Sequence, residues 1–586
     1  MPVILAAHLA PIDWAIVAAY LALLIGSGLW LARREPAGSD EYFLASRRMP
    51  TWAVVFSILA SSLSVATFLG APDASYNGDL TYLSTNIGGI LAVFIIARFF
   101  IPVFYRANCV SIYEILEHRM GAGAKRWASG AFMLGRLFAS GARVYIAALP
   151  LAAIIFGLQS MKHDAAPLLG AIALLTLAAV VITLVGGIAS VIWTDVLQTI
   201  VMLGAVSAGL VYLRFSIPAS THDIAAALST GGIAGASKLT ILDPGLPFNP
   251  AKSFTLLTAL FGFSLLSLAS YGTDHDMVQR MLTCRSAVKG GRSVLVATFV
   301  AIPVVALFML IGLLLFVFYQ RPDLMGASAP VRPAPTGSYA FLTFIVEELP
   351  AGLRGIMVAG IFAIGLGSLN SAINAMSATF VADFYTPWRP NRTDRHYLAV
   401  GRWAVVAWGI ALGIFAALCI VWRRADESRG LIEFALSVMT FAYSGLLAVF
   451  LAALFTRRGN SVSAACAIIA GFLITAAFLP AVWLGLSRAG LVPIPMRFAP
   501  DQLALGAGEF GATLGDVKAA LPFTSWAFPW QLLTATAGAF IVVVLGRSPP
   551  GRADALTRAA LPAPAGSAPS SSPPSRHPPR DTPPPR

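Results

Sequence analysis

The residues that could do chemistry here are polar side chains embedded in long apolar runs, and they fall into four groups. The first is Ser57-Ile58-Leu59-Ala60-Ser61-Ser62-Leu63-Ser64-Val65-Ala66-Thr67-Phe68-Leu69-Gly70, where hydroxyl and small residues dominate. Hydroxyls compete for backbone hydrogen bonds, and Gly70 followed by Pro72 weakens the helical ladder. A break in this stretch would free carbonyl oxygens for a small cation, although small-residue helix packing accounts for the same composition. The second group is Gly186-Gly187-Ile188-Ala189-Ser190-Val191-Ile192-Trp193-Thr194-Asp195-Val196-Leu197-Gln198, in which Asp195 and Gln198 share a helix face. An acid one to two turns into an apolar helix reads as a cation or proton site, or as a carboxylate satisfied by backbone amides at the helix start. The third runs from Gly367-Ser368-Leu369-Asn370-Ser371 through Asn374, Ser377 and Thr379 to Asp383-Phe384-Tyr385. It lays a stripe of neutral oxygens along one face, suited either to a hard monovalent cation or to interhelical hydrogen bonds. The fourth is Arg136 and Arg143, seven residues apart on one face. Arg136 is expected to snorkel toward an interface. Arg143 lies deeper, where it either binds an anionic ligand or pairs with a buried acid such as Asp195.

These groups need helices in a membrane to position them. The chain has 586 residues, of which 57% are hydrophobic and only 11% charged, with a mean hydropathy of +0.77. Soluble domains carry about 25% charged residues, so a water-soluble fold is excluded. A spanning helix needs roughly 20 apolar residues. Thirteen such segments are predicted, near residues 12–32, 51–78, 82–105, 127–157, 166–185, 188–213, 254–273, 293–319, 354–384, 398–421, 430–456, 461–484 and 527–546. The excess of +13 charges sorts into alternate loops, through Arg33, Arg34, Arg47 and Arg48, then Arg106, Arg119, Lys125 and Arg126, then Arg280, Arg285, Lys289 and Arg292, then Arg389, Arg392 and Arg395, then Arg457 and Arg458. The positive-inside rule then puts the N-terminus outside and the C-terminus in the cytoplasm of an inner or plasma membrane. Residues 547–586 hold 12 of the 38 prolines and are expected to form a disordered tail. The stretches 215–250, 320–350 and 485–526 are long enough to cap a pathway or to be plain surface loops. Four scattered cysteines and seven scattered histidines offer no metal-ligand spacing, and no nucleophile–base pattern supports an enzyme.

Six stretches, in order, resemble motifs of the sodium/solute symporter family, which includes sugar, proline and sialic acid carriers. They are Glu41–Pro50, Ser57–Gly70, Ser111–Arg119, Gly186–Gln198, Tyr271–Arg280 and Ser368–Tyr385, within a region of resemblance near residues 12–456. The resemblance implies an all-α membrane protein with a five-plus-five inverted-repeat core. The first repeat would be 51–213 and the second 254–456, with 1–50 and 457–546 peripheral. The principal sodium site implied by the family consists of the carbonyls of Ala60, Leu63 and Ile364 with hydroxyls at 367 and 368. Ser368 supplies one hydroxyl, but Gly367 stands where the family usually has serine. A second cation site is implied at Asp195, Asn370 and Ser371. The solute is expected beside breaks in the second and seventh spans, near Ser62, Ser64, Thr67, Tyr82 and Asn86. Arg143 resembles the carboxylate-binding arginine of sialic acid carriers, so an organic anion is the expected solute. The implied activity is symport of a small solute with sodium as coupling ion, with no other cofactor and no nucleic-acid partner. Proton coupling through Asp195, sodium-independent transport and a transporter-like sensor remain the competing readings.

Overall fold

The computed structural model describes residues 9–32, 44–107, 111–157, 164–184, 188–231, 236–326, 332–335, 339–425, 430–488, 491–492 and 514–548. Apart from Arg547 and Ser548, the proline-rich tail lies outside the described residues. So do Gly186 and Gly187 and the Glu41–Phe43 start of the first motif.

The described chain is helical, and thirteen spans form when each bent pair counts once. Ten are continuous: Pro11–Gly28, Thr81–Ala107, Ala122–Phe156, Ala166–Thr183, Ile188–Phe215, Ala287–Gln320, Leu353–Trp388, Asp394–Arg423, Leu431–Phe455 and Phe528–Leu545. Three are bent: Thr51–Ser62 with Val65–Asn77 by 63°, Leu256–Gly272 with His275–Leu282 by 59°, and Ser461–Ala477 with Pro480–Ser487 by 82°. In chain order they match the thirteen predicted segments. We number them as spans 1 to 13.

Local sequence starts several of these helices. Thr255 forms a capping box with Thr258 ahead of span 7, Ser286 accepts the Lys289 N–H ahead of span 8, and Asn460 caps span 12. Each satisfies N–H groups that a helix start leaves unpaired. The peripheral span 1 docks through charge. Its fully buried Asp13 accepts the N–H groups of Gly352 (2.7 Å) and Gly355 (2.8 Å) at the start of span 9. An anion at a helix N-terminus is favoured by the unpaired amides there.

Spans 2–6 and spans 7–11 each open with a broken helix. Five is an odd number of crossings, so the second set enters from the opposite face and runs inverted to the first.

Candidate functional site

The break in span 2 lies at Leu63 and Ser64, both extended (φ −77°, ψ 139° and φ −135°, ψ 170°). The first ladder ends with Leu63 N–H donating to the Leu59 carbonyl at 3.0 Å, and the next begins with Phe68 N–H to Ser64 at 2.9 Å. The carbonyls from Ala60 to Leu63 therefore lose their helical partners. The expected weak point at Gly70 and Pro72 is not where the chain breaks. Gly70 serves close packing instead, since a Cβ there would lie 2.7 Å from Ile432 of span 11, and Pro72 sits inside the continuous helix Val65–Asn77. Span 9 meets the break at Gly365, where a Cβ would touch Val65 at 3.4 Å. Ile364 and Ser368 stand within one turn of Gly365 on the same buried stretch of span 9. The Ser368 hydroxyl donates to the Gly365 carbonyl at 3.1 Å, which leaves its lone pairs available to a cation.

On the N-terminal side of the break, where Ser57 stands one turn before Ser61, a buried charge network joins six spans. Span 7 breaks at Thr273 and Asp274, and Asp274 caps the half-helix His275–Leu282 by accepting the Asp276 N–H at 3.0 Å. Arg136 of span 4 pairs with Asp274 at 2.9 Å and with Asp276. Arg280 pairs with Asp276 one turn away and with Asp195 of span 6 at 3.3 Å. It also donates to Ser371 of span 9 at 2.5 Å and to Ser57 of span 2 at 2.9 Å. Ser57 in turn donates to Asp195 at 2.5 Å, and Tyr443 of span 11 donates to Asp274 at 2.7 Å. Two sequence expectations change. Arg136 is 2% exposed and ion-paired, so it does not snorkel. Arg280 is not a loop residue either, because span 7 continues past 273 as a second half-helix that buries it completely.

The proposed second cation set is brought together in part. Asp195 and Ser371 converge, but the Arg280 guanidinium bonds to both. Asn370 turns toward Thr183 of span 5, at 3.4 Å.

Arg143 contrasts with the other two arginines. It is 8% exposed, its Nη2 reaches only the Met439 sulfur at 3.8 Å, and its Nη1 has no hydrogen-bond partner among the described residues. Asp195 is thus not its partner. Tyr271 of span 7 is within hydrogen-bonding reach of Ser62 and within electrostatic range of Arg143 and of Tyr82 of span 3, whose ring packs on Phe254 at 5.2 Å. Ser64 and Thr67 are buried at the restart of span 2. Asn86 donates its amide to the Leu83 carbonyl of its own turn at 3.0 Å, and no described bond ties it to Arg143, Ser62 or Tyr271.

Residues 42–471 match the family model described as the sodium:solute symporter family. The chain belongs to that family. Family membership makes it a multi-pass integral membrane transporter, carrying out sodium-coupled symport of a solute. It is 28% identical to the sodium/sialic acid symporter NanT of Aliivibrio fischeri, over 77% of this chain and 84% of that one. It is 27% identical to the sodium/sialic acid symporter SiaT of Proteus mirabilis, over 79% and 88%. A solved sodium-coupled sialic acid symporter, in a substrate-bound outward-open state, superposes with a TM-score of 0.69. It is 22% identical and covers 92% of this chain and 97% of that chain, which shows the shared inverted-repeat fold.

For this symporter, the sequence shows the spans but not how their buried charges pair. Asp274, Asp276 and Arg280 were visible as three charges within seven residues just past an apolar run. Their spacing, with Asp276 and Arg280 at i and i+4, was the available signal for a continued half-helix. Tyr443 and Met439 carried no such signal, since an aromatic or a methionine in an apolar span is ordinary packing.

Proposed function

We propose that the solute is a small organic carboxylate, received by Arg143 and carried inward with one sodium ion at the break of span 2. The carrying observation is the buried guanidinium of Arg143, which has no carboxylate partner among the described residues while Arg136 and Arg280 bind Asp274, Asp276 and Asp195. A buried cation needs an anion, and the nearby acids are already engaged. The neighbours Ser62, Tyr271 and Tyr82 give hydroxyls for the rest of a polyhydroxylated or short-chain acid. The two sialic acid carriers among its relatives transport such a molecule. In this reading the carbonyls of Ala60, Leu63 and Ile364 and the hydroxyl of Ser368 hold sodium. They join the break to span 9, so sodium favours the state in which the solute site is assembled. Solute must then tighten sodium binding by the same factor that sodium tightens solute. The N-terminus would face outward and the C-terminus the cytoplasm of the plasma membrane, by the basic loops that remain once Arg280 is removed from the count.

The test is uptake into proteoliposomes of a carboxylate panel and of matched neutral analogues, with sodium or choline outside. Sodium-dependent uptake of a carboxylate is expected. Arg143→Gln should lower its kcat/KM by roughly 10- to 150-fold, the equivalent of one lost charge-assisted hydrogen-bond pair, and Arg143→Lys should lose less. Undiminished uptake in both variants would refute the anion site. Full uptake in choline would refute sodium coupling, and uptake driven by a pH step alone would favour the proton.

A further inference from the structure

Gly367 leaves a notch in span 9 immediately before Ser368, and the notch is filled from span 6. A Cβ on residue 367 would overlap the side-chain oxygen of Gln198, with its amide carbon at 3.1 Å and its nitrogen at 3.6 Å, so the oxygen is the atom that points in. Gln198 is 2% exposed, and neither its oxygen nor its nitrogen has a hydrogen-bond partner among the described residues. A buried, unpaired carboxamide oxygen costs its desolvation, about 1–3 kcal/mol. Such a group in a native interior points to a missing ligand.

Its position says which ligand. Ser57, Asp195 and Ser371 meet at the charge network through Arg280. One helical turn along spans 2, 6 and 9 from these residues stand Ser61, Gln198 and Gly367. Ser61 is 1% exposed and its hydroxyl also lacks a partner. The Tyr20 hydroxyl of span 1 lies beside the Gln198 amide, placed to accept from its nitrogen, which leaves the Gln198 oxygen as the unpaired end. The layer is therefore rich in unsatisfied oxygens and has no charge of its own. Ser61 and Gly367 are the chain neighbours of Ala60, where the freed carbonyls start, and of Ser368. The guanidinium that fills the next layer does not reach this one. Uncharged oxygens at this density suit a hard monovalent cation.

We propose that the Gln198 side-chain oxygen is a ligand of the coupling sodium ion, standing in for the side-chain oxygen that Gly367 cannot supply, with the Ser61 hydroxyl beside it. This rests on the sodium site proposed above at Ala60, Leu63, Ile364 and Ser368.

Sodium is the probe, read as sodium-dependent thermal stabilisation of the purified full-length protein and as the sodium dependence of uptake. Gln198→Met keeps the length but removes the oxygen, and should raise the half-saturating sodium concentration at least tenfold. Gln198→Ala with Gly367→Ser restores an oxygen to the notch and room for it, and should return that concentration to within about threefold of wild type. Ser368→Ala separates the two levels of the reading. If it weakens sodium while Gln198→Met does not, the site stands and the role of Gln198 is overturned. If neither variant changes sodium dependence, the site itself is overturned and the proposal falls with it. Should Gln198→Met fail to fold, Gln198→Glu decides. It keeps the oxygen and adds a charge, so sodium binding should tighten with rising pH, and an unchanged sodium affinity across pH would overturn the proposal.

Discussion

The buried network around Arg280 should respond asymmetrically to loss of charge. Its close members are Arg136 and Arg280 against Asp195, Asp274 and Asp276, a formal excess of one negative charge. Arg280→Met leaves three carboxylates around one guanidinium and strips Ser57 and Ser371 of their donor. Breaking a buried pair by removing one partner costs about 3–5 kcal/mol, because the other charge stays buried without compensation. Asp195→Asn leaves two cations against two acids. Asn retains an oxygen for the Ser57 hydroxyl, and Arg280 keeps Asp276, so the cost should be only about 1–3 kcal/mol. In the double variant the carboxylate stranded by loss of Arg280 is gone. Its cost should fall short of the sum of the single costs by about 1–3 kcal/mol, the range for groups in direct contact. Reversible unfolding in mixed micelles, followed by far-ultraviolet circular dichroism, gives the three numbers. Additive costs, or an Asp195→Asn variant as damaged as Arg280→Met, would show that the network is not organised by charge balance.

Two further predictions follow from packing and titration outside that network. Gly312 of span 8 lies so close to span 2 that a Cβ would overlap the Pro72 carbonyl oxygen and the Ser75 hydroxyl, whereas a Cβ on Gly204 meets nothing within 4 Å. Gly312→Ala should therefore cost about 1–3 kcal/mol by overpacking. Gly204→Ala should be neutral or gain up to about 1 kcal/mol in helix propensity, and equal effects would sink the close-approach argument. Lys238, between spans 6 and 7, donates to the carbonyls of Ser75 (3.2 Å), Tyr76 (3.0 Å) and Gly78 (2.5 Å), and burial pushes its pKa down to about 8. An unfolded lysine titrates near 10.4. Between those values the folded protein holds fewer protons than the unfolded chain, so stability rises with pH there, and the cost of the buried charge is fully present below about 8. The stability of wild type relative to Lys238→Met should climb from pH 7.5 to pH 9.5. A flat difference would mean that the ammonium is not desolvated.

What the sequence made legible depended on whether a feature is local. Thirteen spans could be read because apolar length is a property of one segment. The broken second span could be read because hydroxyls and small residues are concentrated in it, yet the position of the break could not. Gly70 and Pro72 are the stronger local breakers, but Gly70 was needed for contact with Ile432 and the helix tolerated Pro72. The bend fell instead at Leu63 and Ser64, where span 9 packs at Gly365. Charge pairing is the opposite case. Arg136, Arg143 and Arg280 look alike in sequence, as cations in or beside apolar runs. What separates them is which acids reach them across 85 to 140 positions of chain, a distance over which no periodicity argument operates.

In the reading proposed above, that separation also ties solute to ion. With Asp195, Asp274 and Asp276 bound to Arg136 and Arg280, Arg143 has no bonded carboxylate among the described residues, and in the proposed reading the layer at Ser61, Gln198 and Gly367 takes the sodium ion. Arg136, Arg143 and Arg280 against Asp195, Asp274 and Asp276 already sum to zero, so either ligand alone adds a net charge to the bundle, where the effective dielectric is low and the cost is high. Filling both moves a neutral pair. The two ligands need not touch for this to hold, since the first half-helix of span 2, Thr51–Ser62, carries both Ser62 and the start of the freed carbonyls, and a shift of it changes both positions. Symport of one carboxylate with one sodium ion is therefore expected to be electroneutral. Uptake should be insensitive to a potassium–valinomycin diffusion potential, and a strong dependence on that potential would show that the charges are not balanced in this way.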